Sequence, residues 1–385
     1  MLMKKILFAL VISLILTIKL LPQASAATNS STSAKQISDT PNTANAPQIS
    51  YLTARILGIT VEKNGTQDMT VQVLSGSDKG KQIQVNYDPQ HVSDLEMHSG
   101  QSIILNKETD SSGRVQYYVN DKYRLPQIII AVIGFFILIL AIAGWKGIGS
   151  ILGLIISLSV IFGYIIPQII AGADALTVSM IGSVIILFLT TYVAHGISRQ
   201  TTIALFSTLI ALLITYLIAT WIVQFTLLNG YGNSDATDLH FGTTSIISLK
   251  GILLGGIIIS TLGALNDVTV TQAHTVFELA NQNQNLNFKQ LFARGFMIGR
   301  EHAISIINTL VLAFAGSGLA ILIFFLLNPQ QWPYWVIINS EAFSEEIIKT
   351  IGGTAGLLLA VPIVTLLAAA FSDPKVKQMF GKMLR

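Results

Sequence analysis

The chain contains no cysteine, so disulfides, thiol nucleophiles, thiolate metal sites and lipid attachment through sulfur are all excluded. Any part of it that meets an oxidising compartment must be held by its own core. Charge is scarce as well: 11% of the 385 residues are Asp, Glu, Lys or Arg, against roughly 25% in an ordinary soluble domain. A water-soluble fold of this length would be short of polar surface. The formal net charge of +3 is too small to imply a nucleic-acid partner. There is no His-Glu-x-x-His zinc motif and no P-loop, and nothing in the sequence calls for a cofactor or a metal. What is abundant is apolar: 51% of residues are hydrophobic. They gather in runs of about 20, the length that crosses a ~30 Å hydrocarbon core.

The order of these runs divides the chain. Residues 1–26 read as a secretory leader, with Lys4 and Lys5, an apolar stretch Ile6–Ile18 and a small-residue end at Ala24-Ser25-Ala26. Residues 27–48, rich in Ser, Thr, Asn, Ala and Pro, read as a flexible linker. Residues 49–124 change to short alternating or β-branched runs between turn residues. Strands are expected near Tyr51–Glu62, Met69–Ser75, Gln82–Tyr87, Ser102–Asn106 and Val115–Asn120. Turns are expected at Asn64-Gly65, where a type I′ hairpin needs positive φ, at Asp78-Lys79-Gly80 and at Ser112-Gly113. Five short strands point to a small β-barrel-like domain, of which the OB type is one example.

Residues 125–371 hold about seven apolar spans: Gln127–Gly144, Ile148–Ile170, Leu176–Ala194, Thr202–Leu227, Ile246–Leu265, Ala303–Leu327 and Ile347–Phe371. A long connection, Asn266–His302, separates the fifth from the sixth, and residues 372–385 form a basic tail. The fold class expected is therefore an α-helical polytopic membrane bundle with a small extracytoplasmic β domain. Its lipid-facing surface makes the bilayer its first partner.

Cations are retained on the cytoplasmic side of bacterial membranes. With the β domain outside, the inner segments carry Lys146, Arg199, Lys289, Arg294, Arg300 and the tail cations, while the outer loops after the first span carry Asp174, Asp235, Asp238, Glu341, Glu345 and Glu346. Lys122 and Arg124, on the outer flank of the first span, run against this scheme and are outweighed. The expected location is the bacterial cytoplasmic membrane, with the C-terminus inside. Gly149/Gly153 and Gly352/Gly356 have Gly-x-x-x-Gly spacing, which lets helix backbones approach. Ordinary packing inside the bundle explains them.

Candidate chemistry lies on the inner face. At 100° per residue, Asp267, Thr271, His274, Thr275 and Glu278 share one arc of a helix and Val270, Ala273, Phe277 and Ala280 the other. Asp267, His274 and Glu278 could serve a divalent metal or a proton relay, or simply be the hydrated side of an interfacial helix. A second cluster is Arg300, Glu301 and His302 at the mouth of the sixth span, followed by Asn308, whose amide inside a span needs a partner. No acid or base reaches the expected midplane of any span, which weakens an ion-pump reading. Ala315-Gly316-Ser317-Gly318 is similar to the nucleophile segment of rhomboid-type proteases, yet Ala315 stands where that pattern has Gly, and the last span offers no His as base. No catalytic residue is assigned, and the expectation is a protein that is not an enzyme.

Three segments carry a family resemblance. They are Gly263–Leu279, with Asp267-Val268 and Glu278-Leu279; Leu291–Arg300, continuing through Asn308–Gly316; and His195-Gly196-Ile197-Ser198-Arg199, followed by Thr201 and Ala204. Together they resemble the YibE/F family of bacterial membrane proteins over about Leu125 to Phe371. Glu301 stands where that family tends to have Asp, and His274 is peculiar to this chain. The resemblance implies a multi-pass protein for which a permease role is the usual expectation.

Two functions follow as expectations. In the first, the chain is a permease component whose inner gate is built from Asp267, His274, Glu278, Arg300, Glu301 and Asn308. In the second it is a non-transporting scaffold or sensor whose β domain binds an envelope protein or polymer. Either admits homo- or hetero-oligomers.

Overall fold

The computed structural model describes residues 48–61, 67–87, 97–110, 113–232, 236, 238–239, 247–328 and 330–372. The expected leader, most of the linker, the Asn64-Gly65 turn, Ser112, Asp235 and the basic tail beyond Ser372 lie outside them. The described residues divide between two compact units that meet in sequence at Ile142 and Ala143.

The first unit contains a five-stranded antiparallel sheet, in the order β3-β2-β1-β4-β5. Its strands are β1 Gln48–Val61, β2 Gln67–Val73, β3 Gln82–Tyr87, β4 Ser102–Thr109 and β5 Val115–Lys122, each overlapping an expected strand. Alternation sets the faces: Leu52, Ala54 and Ile56 of β1, Met69, Val71 and Val73 of β2 and Ile103 and Leu105 of β4 all turn into one core. β1 is long enough to pair with both β2 and β4. Register shifts between Ile56 and Gly58 and between Ile104 and Leu105 mark irregularities of the kind that bend strands. The sheet curls until Cα atoms of β3 and β5 lie within 8 Å of one another.

One buried carboxylate ties this sheet together. Asp78, in the turn after β2, accepts hydrogen bonds from Lys107 of β4, from Lys81 at 2.6 Å and from the Tyr117 hydroxyl of β5 at 3.1 Å. These partners, Lys107 first, hold its carboxyl well below the usual carboxylate range. The same unit carries helix α1, Leu125–Ala143, wholly apolar after Gln127.

The second unit is helical. It comprises α2 Trp145–Val160, a π-helical turn Ile161–Ile165, α3 Ile166–Ile170, α4 Ala175–His195, α5 Arg199–Phe225, α6 Leu249–Gln282, α7 Phe288–Ser317, α8 Leu319–Leu327, α9 Tyr334–Asn339 and α10 Glu341–Ser372. Among the described residues, six helices are long and apolar enough to cross a membrane, or seven if α7 and α8, bent by 63°, make one span. The sixth expected span, Ala303–Leu327, is thus not a straight helix. It breaks at Gly318, next to Gly316 and Ser317, where a helix is weakest.

Two further expectations change. The long connection Asn266–His302 continues the two helices that flank it: α6 runs unbroken to Gln282, and α7 begins at Phe288 with a capping box between Asn287 and Gln290. The expected amphipathic helix is the C-terminal half of α6, packed against the bundle, with Val270, Ala273, Val276 and Phe277 buried. Likewise Glu341, Glu345 and Glu346 are not in a loop but open α10. Glu341 there accepts from the backbone N–H groups of Asn229 and Gly230, and Glu345 from that of Gly232 at 2.8 Å. Lys349 pairs with Glu346 at 2.8 Å and Glu345 at 3.6 Å.

The centre of the unit is α5, α6 and α10. In lipid the tails compete equally for apolar side chains, so close approach at small residues does the packing. Gly352 lies against Ile257 and Ala219, Gly353 against Thr261 and Gly356 against Thr215. Buried hydroxyls bond to carbonyls four residues back, as Thr215 does to Ala211, Thr261 to Ile257 and Thr365 to Val361. That satisfies them without leaving the helix. Both Gly-x-x-x-Gly pairs work inside the bundle, since Gly149 meets the backbone of Ala194 and Gly153 the side chain of Thr190.

Candidate functional site

Between α2, α4 and α6 lies a cavity of ≈ 540 Å³. Its walls follow from local sequence. On α2, Gly153 provides no side chain, and Ser150 and Ser157 face the space, while the π-helical turn begins at Ile161, where the wall continues. Such a turn shifts the register of the helix face and is common at functional sites. On α6, a side chain at Gly263 would meet nothing within 4 Å. Two absent side chains on facing helices thus leave a space that apolar residues at the same positions would fill.

The end of the cavity beside the C-terminus of α4 is polar. α4 ends at His195 because Gly196 takes a positive φ of 74° and Ser198 caps α5 by accepting from the Thr201 N–H at 3.1 Å. This explains the His-Gly-Ile-Ser-Arg sequence as a tight helix–helix turn that leaves the imidazole on the last turn of α4, lining the cavity. Opposite it, α6 presents Asn266 and Asp267. Asn266 accepts a hydrogen bond from buried Thr191 at 2.9 Å, fastening α4 to α6. Asp267 has no hydrogen-bond or ion-pair partner among the described residues. His195 and Asp267 are close enough for their charges to interact, and His274 contributes to the field at His195. The hydroxyls of Ser157 and Thr190 bond to carbonyls of their own helices, at 3.0 and 2.7 Å.

Of the expected gate residues, only Asp267 lines this cavity. His274 and Glu278 lie on the exposed side of α6, with Glu278 accepting from Gln282 at 3.1 Å. Arg300 and Glu301 pair with each other at 3.1 Å on an exposed part of α7, and Asn308 is exposed further along the same helix. Among the described residues no three His, Asp or Glu side chains come together closely enough to hold a metal. The stripe Asp267, His274 and Glu278 is a helical face rather than a ligand set.

Sequence reasoning passed over two residues. His195 reads as part of a turn motif until the helix end is seen to abut α6. Gln272, on the buried face of α6, donates to the Gly295 carbonyl at 2.8 Å and to Thr365 Oγ1 at 2.7 Å, joining α6, α7 and α10. Its signal was Gly295-x-x-x-Gly299, a notch that leaves room for the amide: a Cβ at Gly299 would fall 2.7 Å from Gln272 Cδ. Ser317, the serine of the protease-like segment, donates to the Phe314 carbonyl at 2.8 Å at the α7–α8 break.

Several apolar helices of spanning length around a partly polar cavity define a multi-pass α-helical membrane protein. The chain belongs to the YibE/F-like protein family, whose model matches residues 131–373. No curated protein and no solved structure matches it.

Proposed function

We propose that this chain is a permease-like, non-enzymatic component of the bacterial cytoplasmic membrane, with its sheet outside, its C-terminus inside, and the α2–α4–α6 cavity as the solute site. The observation that carries this reading is a cavity of ≈ 540 Å³ between three helices with a carboxylate, Asp267, that has no hydrogen-bond or ion-pair partner among the described residues. An acid without an ion-pair partner at the end of a spanning segment favours a cationic solute or a proton. Asp267 selects charge, His195 offers a second exchangeable group, and Thr191–Asn266 holds the wall. Arg300, Glu301, His274 and Glu278 stand apart from this path and are left out of it.

The test uses purified protein in proteoliposomes loaded with a panel of monovalent and divalent cations and a pH-sensitive dye. Gly263→Leu, which fills the cavity, and Asp267→Asn are each expected to lower flux of the transported species at least tenfold. Undiminished flux in both variants sinks the assignment.

A second reading has its own observation. The sheet belongs to a compact unit distinct from the helical bundle, and its strand order, with β1 between β2 and β4 and the β3 and β5 edges drawn together, fits an OB-type barrel. In this reading the sheet binds an envelope protein or polymer and the bundle anchors it. Deleting Tyr51–Asn120 abolishes the cellular phenotype of a scaffold and spares the flux of a permease.

A further inference from the structure

On the outer half of α7 an exposed primary amide, Asn308, stands without a hydrogen-bond partner among the described residues. In the inner half, Leu291, Gly295, Gly299 and Ala303 are buried at intervals of four. Beyond Ala303 no residue of α7 is buried. Ile306, Ile307 and Leu310 still rest against the core, while Glu301, Ser305, Asn308 and Leu312 form one exposed stripe on the opposite side. Asn308 makes no hydrogen bond to any described residue. Its depth is fixed by its neighbours along α7: Gly295 packs on Thr365 and Phe314 on Gly353, so Asn308 falls between them, beside the middle of α10.

A primary amide carries two donors and an acceptor, and hydrocarbon offers it none in return. The group that answers it must come from another helix at the same depth. Helix α1 offers none, because Ile128–Ala143 contains no hydrogen-bonding side chain. A second copy of the chain does. Across a two-fold axis along the membrane normal, the amide of one Asn308 donates to the carbonyl of the other and receives the reciprocal bond. Charge agrees with this symmetry. Glu301, 68% exposed, ends this stripe, and Arg300, 60% exposed, stands on its flank, so opposite signs lie side by side and each can pair across the axis with its counterpart. Ser305 and Gly316 on this side are small, and a Cβ at Gly316 would meet nothing within 4 Å, which allows close backbone approach.

We infer that the chain forms a homodimer through this face of α7, locked by an Asn308–Asn308 amide pair. The interface is independent of the solute cavity, whose walls are α2, α4 and α6.

The absence of native cysteine makes the test direct. Single cysteines are placed in the full-length protein at Ser305 and Leu312, and at Leu213, which is 51% exposed on α5, as a control. Membranes are then treated with a copper–phenanthroline oxidant. Dimer bands are expected at Ser305→Cys and Leu312→Cys and not at Leu213→Cys. Adding Asn308→Leu to Leu312→Cys is expected to remove most of the crosslink, and Asn308→Gln to retain it. In detergent, sedimentation of the otherwise native protein is expected to give a dimer dissociation constant about tenfold weaker for Asn308→Leu. Crosslinking no greater than at Leu213→Cys overturns the proposal. So does crosslinking indifferent to Asn308→Leu, or a monomer at every concentration for the unsubstituted protein. Asn308→Leu that inserts and remains monodisperse separates loss of association from loss of folding.

Discussion

Glycine 299 and Gln272 illustrate how one absent side chain and one amide fix a helix junction. Gln272 is buried between α6, α7 and α10 and spends its amide on the Gly295 carbonyl and Thr365. A methyl at position 299 would strike that amide, and forced overpacking of this kind typically costs about 1–3 kcal/mol. Gly299→Ala is therefore expected to lower the melting temperature of the detergent-solubilised protein. Combining it with Gln272→Ala should recover part of the loss, because the clash has no partner left. A strictly additive double variant would show that the two positions do not meet. The Gly-x-x-x-Gly spacing was in the sequence, but the residue that fills the notch lies 27 positions away from Gly299 along the chain. Nothing local marks Gln272 rather than Gln282 as the buried one.

At the scale of elements, the sheet is held at one point by a charge. Asp78 joins the turn after β2 to β4 and β5 through Lys107, Lys81 and Tyr117. Its folded-state pKa is depressed, while an unfolded Asp titrates near about 3.9. Its contribution to stability is therefore complete above about pH 4 and is lost as pH falls through the lower, folded value. Thermal unfolding of the sheet followed by circular dichroism is expected to weaken over this acid range, and Asp78→Asn to flatten that dependence and lower stability at neutral pH. The strands themselves were legible, because alternation and turn residues are local properties. The knot was not, since it depends on curling that brings three strands to one carboxylate. Helix limits divided in the same way. Apolar runs marked the spans, but α6 ends well past its own and α7 begins well before its own, because these extensions bury a second, shorter face that hydropathy alone does not register.

For the whole molecule, the direction of the helices is internally consistent. α4, α6 and α10 run together, since Gly251 meets Ala175 and Gly255 meets Ser179, and Gly352 meets Ile257 and Gly353 meets Thr261, while α5 runs against α10, pairing Gly352 with Ala219 and Gly356 with Thr215. With the sheet outside, the Asn283–Asn287 turn falls inside. A membrane-impermeant maleimide on intact cells is then expected to label Gln84→Cys and to leave Gln284→Cys untouched until the cells are permeabilised. Labelling of Gln284→Cys on intact cells reverses the orientation. The two cysteines lie on exposed positions, so a negative result is not one of burial.

The sequence by itself determined the class of protein, the strands and the family, because apolar length, alternation and contiguous motifs are properties of neighbouring residues. It also named Asp267 and Asn308 as groups that need explaining, since an acid or amide next to hydrocarbon is conspicuous in a string of letters. Only the tertiary structure decided what each of them meets. Asp267 faces a cavity with His195, reached across 72 residues of chain, whereas His274 and Glu278 on the same helical stripe face outward. The physical reason is that a helix's own period says which residues share a side, while the neighbour that side meets is set by packing between helices at glycines and hydroxyls far apart in sequence.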